Sequence, residues 1–402
     1  MKSIVILINH FQPKIGYQEF FLAKEWKKLD HKVTVVTSNY FFPFPNYENT
    51  VQSILGERKR EIGRKKERGI DSIRLKSSFQ LPGGFVAWLD NLEETLAKLK
   101  PDLVFADGVF QPLALQISLI KNKQKFLLAF DSHASSFNTD LHSSFLKKSY
   151  MFLFQKLLIP KIKSAANVFT AVGESERKTL IKEYGLKARQ VRLIHLGADT
   201  SIFYPDLKSR SIIRKKLKVS DKEILFVYAG KITKNKDVHV LIPAFAKLLE
   251  KQSKSKLLII GTGADKYMKK LVNLAKESNC YENIIWLPQQ KHKKLAQYYN
   301  AADIGVWPGD LSNTIQECMA CGKVVILANK ISKQQSSKHL TKSMGVFAFK
   351  RGSIRSLSRV MINLCSSKTK LTQLGKESQK TIVTEFSWKQ IAKKHLEVLT
   401  HD

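Results

Sequence analysis

Glu317 stands about one turn into a short helical stretch within YNAADIGVWPGDLSNTIQECMACGKVVI, residues 299–326. An apolar strand (304–307) and a Pro-Gly-Asp turn precede it, Ser312 or Asn313 is placed to cap the helix, and Gly322 stops it. Strand, polar turn and helix offer N–H groups to an anion. A carboxylate there can accept two hydrogen bonds from the vicinal hydroxyls of a ribose. Read alone, an acid in a first turn equally complements the helix dipole. A second candidate is GKITKNKDV (230–238), which follows a strand and precedes a helix. Its side chains then lie at the strand's carboxyl end, where open α/β sheets bind ligands. On composition alone it is a solvated lysine-rich loop. A third is His133, at the end of the strand-like KFLLAFDSH (125–133). Such a histidine can orient a hydroxyl or exchange a proton near neutral pH, although a structurally satisfied histidine is commoner.

Other constellations exclude functions. Cys318 and Cys321 form a C-x-x-C, but no second C-x-x-C or spaced histidine pair exists. The pair falls on the apolar face of the short helix, so both are expected to be small buried hydrophobes. Four cysteines in 402 residues make no disulfide framework. No D-x-D occurs, so no carboxylate pair is evident to hold a divalent metal, and neither a metal nor a cofactor is expected. Residues 1–200 carry 31 basic against 19 acidic residues and residues 201–402 carry 37 against 15, within a net charge of +34. That balance suits an anionic membrane surface or phosphorylated substrates. Nucleic acid is not an expected partner: the densest basic run, RKREIGRKKER (58–68), contains no aromatic, and no zinc finger or RNA-binding signature is present. FLKKSYMFLFQKLLIPKIKSAA (145–166) mixes large apolar residues with lysine. It reads either as a basic amphipathic helix on a membrane or as a helix covering a sheet. No apolar run approaches the roughly 18 residues of a membrane span. The polar sequence after IVILI lacks a cleavage site, so a cytoplasmic protein, peripheral on the inner face of the membrane, is expected.

The elements that must position these residues alternate. Strand-like runs at 2–8, 31–37, 70–76, 102–107, 125–133, 166–172 and 191–197 are interleaved with helical stretches near 18–29, 92–99, 111–120 and 174–184. The pattern restarts with strands at 223–230, 256–263, 283–288, 303–308 and 324–328, and helices at 238–251, 267–277 and 293–300. Alternation of this kind predicts parallel, doubly wound sheets. GADTSIFYPD (197–206) reads as the linker. Expected domains are 1–200 and 206–384, with 385–402 as a last helix packing back on the first.

Gly16 with Glu19, the segment 31–33, Asp131 and His133, HLGADTSIF (195–203), GKITKNKD (230–237), LLIIGTG (257–263), the Glu317 segment and EFSW (385–388) occur in an order that resembles family 4 of the retaining nucleotide-sugar glycosyltransferases. The resemblance implies an α/β GT-B fold, two Rossmann-like doubly wound domains facing each other across a cleft. The first domain would hold a glycan, lipid-linked or other glycoconjugate acceptor, and the second the nucleotide diphosphate sugar. It implies that Lys231 and Lys236 contact the donor diphosphate and that His133 faces the reacting sugar. Gly16, Gly230, Gly261, Ser312, Asn313, Thr314 and Glu317 would line the donor site. Two departures stand out. Ile15 replaces one glycine of the family's Gly-Gly loop. The family's E-x7-E has its first glutamate at the position of Gly309, with Asp310 one residue later as its expected substitute. A catalytically weakened GT-B scaffold and a GT-B nucleotide-sugar epimerase are the alternatives.

Overall fold

The computed structural model describes residues 1–44, 46–80, 86–134, 149, 152–329 and 344–400. The chain divides into two units, Met1–Leu196 with Ile391–Asp402, and Gly197–Gln390. No helix among the described residues is long and apolar enough to cross a membrane.

The strands of the first unit are β1 (Ser3–Ile8), β2 (Lys32–Ser38), β3 (Gly63–Glu67), β4 (Ile70–Leu75), β5 (Ser77–Gln80), β6 (Val86–Leu89), β7 (Leu103–Asp107), β8 (Leu127–Ser132), β9 (Val168–Ala171) and β10 (Val191–Leu193). Eight of them form one sheet in the order β10-β9-β8-β7-β1-β2-β4-β3, and β5 pairs with β6 apart from it. All pairings in the large sheet are parallel except β3 with β4. Ile4 pairs with Val33 on one side and Leu103 on the other, so β1 is central and the winding reverses between β1 and β7. Successive side chains of a strand point to opposite faces, and in a doubly wound sheet both faces are covered, which is why IVILI is buried throughout. Val5, Leu7, Val104 and Phe130 pack with Leu96, Leu113 and Ile117 on one side. Trp26, Phe105 and His395 meet edge to face on the other, where Trp26 Nε1 donates to Ala392 O at 2.9 Å.

The strands of the second unit are β11 (Ile224–Ala229), β12 (Ser255–Ile260), β13 (Ile284–Leu287), β14 (Ile304–Trp307), β15 (Val324–Ala328) and β16 (Val346–Phe349), in the order β13-β12-β11-β14-β15-β16. Every pairing is parallel. This is the six-strand Rossmann order, with its reversal between β11 and β14.

Several elements differ from expectation. β3 lies inside the basic run, which lacks the alternation that marks a strand. It is an edge strand held by main-chain pairing to β4, and lysine is a common edge residue. The run also finds its aromatics elsewhere in the chain: Arg58 lies over Tyr40, Arg60 over Phe41 and Arg68 over Phe20. β5, β6 and β16 lie outside the runs that read as strands, and helices Leu207–Lys216, Ile354–Leu364 and Lys368–Thr381 lie outside the stretches that read as helices. The expected linker is not a free tether, since Phe203 is buried in the second unit's core and Ala198 N donates to Phe386 O at 2.8 Å. Within 145–166, residues 145–148, 150 and 151 lie outside the described residues. Of the rest, Phe154, Ile159, Ile162 and Ala165 are buried in the first unit's core, as a helix covering a sheet requires, while Phe152, Leu153 and Leu157 are exposed.

Candidate active site

In the second unit the chain leaves β11 at Ala229 and β14 at Trp307, neighbouring strands at the reversal. Trp307 Nε1 donates to Ala229 O at 3.0 Å and lies 3.1 Å from Thr314 Oγ1, which donates to Ala229 O at 2.9 Å. Ser312 Oγ is 2.8 Å from Thr314 Oγ1. Ser312 and Thr314 therefore tie the start of helix Thr314–Ala320 to the end of β11. Asn313 occupies the cap position but makes no side-chain cap, because its backbone is already helical (φ −59°, ψ −25°) where a capping residue is extended. Gly322 follows the helix in the left-handed region, as the expected stop. Cys318 and Cys321 are buried in the apolar core, where burial pushes the Cys321 thiol up to about 12.

Glu317 Oε2 is buried and has no hydrogen-bond partner among the described residues. Burial, with Asp199 adding to it, pushes the carboxyl up to about 8. An orphaned buried acceptor is costly unless something else donates to it.

Lys236 Nζ donates to Asp310 O at 2.9 Å and Leu311 O at 2.7 Å. Burial lowers its pKa, Asp310 opposes that, and the neighbouring Lys231 and Arg351 reinforce it. The Lys231 residue is exposed, and its carbonyl accepts from Tyr228 Oη at 2.8 Å. Gly309 is where the loops meet. A Cβ there would lie 2.3 Å from Asn235 O and 2.6 Å from Lys236 Cα, so the position of the expected glutamate is filled by backbone. Asp310 is engaged at both oxygens: Oδ2 accepts from Asn235 Nδ2 at 2.8 Å and Oδ1 from Arg351 Nη1 at 2.9 Å. Arg351 also donates from Nε to Asp237 Oδ2 at 2.7 Å and from Nη2 to Asn235 O at 3.1 Å. At Gly261 a Cβ would meet Gly230 O at 2.0 Å, so this glycine serves the packing of one loop on another. Gly230 N donates to Ile260 O across the same contact.

The other candidates lie in the first unit, at the carboxyl ends of β7 and β8. His133 Nε2 is 3.1 Å from Asp131 Oδ2, which also accepts from Gln18 Nε2 at 3.0 Å, while Asp131 Oδ1 pairs with the Thr170 hydroxyl. Burial pulls the His133 imidazole down, but the bonded Asp131, with Asp107 and Glu19, more than offsets this and lifts it to about 9. Gly16 precedes helix Gln18–Lys28, whose first turn carries Glu19. Glu19 is buried with Oε1 unpartnered among the described residues, and burial followed by Asp107 pushes it up to about 8. Asp107, Asp131 and His133 each offer a ligand atom within 4.8 Å of the others, a set able to hold a metal ion. Buried His395 finds no partner for either ring nitrogen among the described residues, and burial pulls it down to about 4.

Lys231, Lys236, Gly230, Gly261, Asp310, Ser312, Asn313, Thr314 and Glu317 thus gather at the ends of β11, β12 and β14, and Gly16 and His133 belong to the other unit. Asn235, Asp237, Arg351, Asp107 and His395 carry no sequence signal that singles them out. Asp107 could have been found from its place at a strand end once the strand order was known.

Two doubly wound sheets, one wholly parallel and one parallel except at its β3 edge, each with polar residues gathered near its reversal, fit a GT-B protein. Family models match in tandem: Glycosyltransferase Family 4 over residues 20–202 and Glycosyl transferases group 1 over residues 209–381. The chain belongs to this family of group 1, family 4 glycosyltransferases. It is similar to the D-inositol 3-phosphate glycosyltransferase of Xylanimonas cellulosilytica, 24% identical over 42% of this chain and 42% of that one. It is also similar to spore coat protein SA of Bacillus subtilis, 21% identical over 59% of this chain and 65% of that one. The chain thus spans less than two thirds of the length of these relatives. Among solved structures, a glycosyltransferase from Rickettsia africae superposes with a TM-score of 0.73 at 16% identity, over 100% of this chain and 98% of that one. Anabaena Alr3699/HepE in complex with UDP gives 0.72 at 16% identity, over 100% of both chains. These likenesses show the shared fold.

Proposed function

We propose that this chain is a retaining glycosyltransferase that moves a sugar from a nucleotide diphosphate sugar to a glycan, lipid-linked or other glycoconjugate acceptor. The observation that carries this reading is the buried Glu317 Oε2, unpartnered among the described residues, at the strand reversal of the second unit. It has the chemistry to receive a ribose diol. The nearby Lys236 loop has the chemistry to meet a diphosphate. As the glycosidic bond breaks, negative charge builds on the leaving phosphate, and cations already in place stabilise it more in the transition state than in the ground state. Two of the three Lys236 donors are taken by carbonyls, which fixes the ammonium and leaves one N–H for a phosphate oxygen. Lys231 supplies a second charge. His133, held as imidazolium by Asp131, donates to and orients a sugar or acceptor hydroxyl. In this reading lysines do the work of a divalent ion and no metal is required.

Peripheral contact with an anionic membrane on the cytoplasmic side belongs to the same proposal. Phe152, Leu153 and Leu157 are exposed, and Lys156 lies 4.6 Å over the Phe152 ring. A catalytically weakened scaffold is the second reading, favoured by Gly309 and by the engagement of both Asp310 oxygens. One experiment separates the two. A panel of nucleotide sugars is screened by thermal shift, and the best binder is assayed for sugar release and transfer with and without EDTA. Turnover insensitive to EDTA is expected. Binding without turnover supports the scaffold. Turnover abolished by EDTA and restored by Mn²⁺ or Mg²⁺ points to Asp107, Asp131 and His133 instead.

A further inference from the structure

We infer that Arg351, a residue just beyond β16, is a positioning residue that clamps the Asn235–Asp237 loop onto the Gly309–Asp310 turn and so holds Lys236 ready for the diphosphate. The inference rests on the donor site proposed above and adds a residue to which that reading gave no part. One guanidinium reaches three acceptors on two loops: Asp237 Oδ2 at 2.7 Å, Asp310 Oδ1 at 2.9 Å and Asn235 O at 3.1 Å. The two acceptors bracketing Lys236 in sequence are both held by it. Asp310 returns a second bond from Asn235, and its own carbonyl receives the Lys236 ammonium, which closes a ring of interactions around the lysine.

The loop needs such a clamp. Asp237 sits in the left-handed region at φ 51° without being glycine, a conformation that persists only where its surroundings impose it. Lys236 also has Lys231 and Arg351 for neighbours, and their repulsion would drive a free lysine out into water. The missing side chain at Gly309 supplies the space into which the clamped backbone fits. The planar fork of arginine suits several acceptors at fixed angles, which a lysine point charge does not.

The test measures UDP, GDP and ADP binding by calorimetry in the parent, Arg351→Gln, Arg351→Lys, Lys236→Ala and the Arg351→Gln/Lys236→Ala double variant. Amide exchange over residues 231–237 is measured in each. Arg351→Gln is expected to weaken the nucleotide that binds best by about tenfold, with Arg351→Lys no better, since the fork and not the charge is at stake. In the Lys236→Ala background the same change is expected to cost less than about twofold, because a residue acting through another has no separate effect once the other is gone. Exchange over 231–237 should quicken in Arg351→Gln. Additive losses, or recovery in Arg351→Lys, would mean that Arg351 meets the ligand directly and would overturn the inference. So would unchanged exchange. If the parent binds none of the three nucleotides, the donor-site reading falls, and the exchange result alone upholds or overturns the clamp.

Discussion

Burial lifts the Glu317 carboxyl from the ordinary 4.5 to about 8, so near neutral pH the free protein holds it as an acid. A ribose diol is best received by the carboxylate, so nucleoside diphosphate affinity should rise between pH 6 and pH 8.5. Folding carries the opposite sign. A raised carboxyl stabilises the fold fully below its unfolded value, and that contribution is lost as pH rises through the folded value. Glu317→Gln, always neutral, should therefore match the parent's Tm near pH 5 and exceed it at pH 8.5. At pH 8.5, where the carboxyl is ionised, the same variant should weaken nucleoside diphosphate binding by about 1.5–3 kcal/mol, the range for a bond to a charged group. Unchanged affinity in calorimetry, with the fold intact, would reduce Glu317 to an acid that complements a helix dipole. Lys236 is tested by rate. Lys236→Ala should lower turnover on the order of 100-fold, comparable to deleting one oxyanion donor, and more than it weakens donor binding. Lys231→Arg should be nearly silent, since an arginine keeps the charge in an exposed place. A raised Michaelis constant with intact turnover in Lys236→Ala would make that lysine an anchor only.

Among the elements, the β11 and β14 loops show how a departure from family pattern becomes legible in three dimensions. Gly309 and the Lys236 backbone occupy one space, so the glutamate and the present loop exclude each other. Gly309→Glu should therefore not restore a family-like site. Urea unfolding should show a loss of at least about 1–3 kcal/mol, the usual cost of overpacking, and turnover should fall because the lysine moves. A Gly309→Glu variant of parental stability and higher turnover would show that the loop yields and that the lost glutamate had been a sugar contact. Some element bounds followed from local pattern, while others did not: the strand expected over 191–197 ends at Leu193. Helix Leu92–Leu99 starts and ends where the sequence places it. Asp206, at the end of the expected linker, caps the next helix by accepting from Ser209 N.

For the whole molecule the main quantity is charge. A net +34 spread over both halves attracts any anionic surface, and the attraction weakens within a Debye length of about 8 Å at physiological salt. Flotation should show binding to vesicles containing anionic lipid, falling as salt rises, with neutral vesicles recovering far less. Phe152→Ser/Leu157→Ser should reduce the salt-resistant part of that binding if those exposed apolar groups enter the bilayer surface. Equal recovery with neutral vesicles would remove the electrostatic claim, and no recovery with either would remove the membrane contact.

By itself the sequence determined the alternation of strands and helices, the place where it restarts, and the segments that bear Glu317, Lys236 and His133. These are local properties, set by runs of apolar residues, turn chemistry and caps, and a sequence records them directly. Strand order was not among them, because an edge strand such as β3 pairs through its main chain and leaves no hydrophobic signature. Nor was the partnership of Arg351 with Asp237 and Asp310, residues separated by 114 and 41 positions. Ser312 and Thr314 carried the right names for a ligand site, yet their first use is to fasten a helix to a strand. A hydroxyl or a guanidinium has many satisfactory partners, and chain closure alone decides which acceptor lies within 3 Å of it.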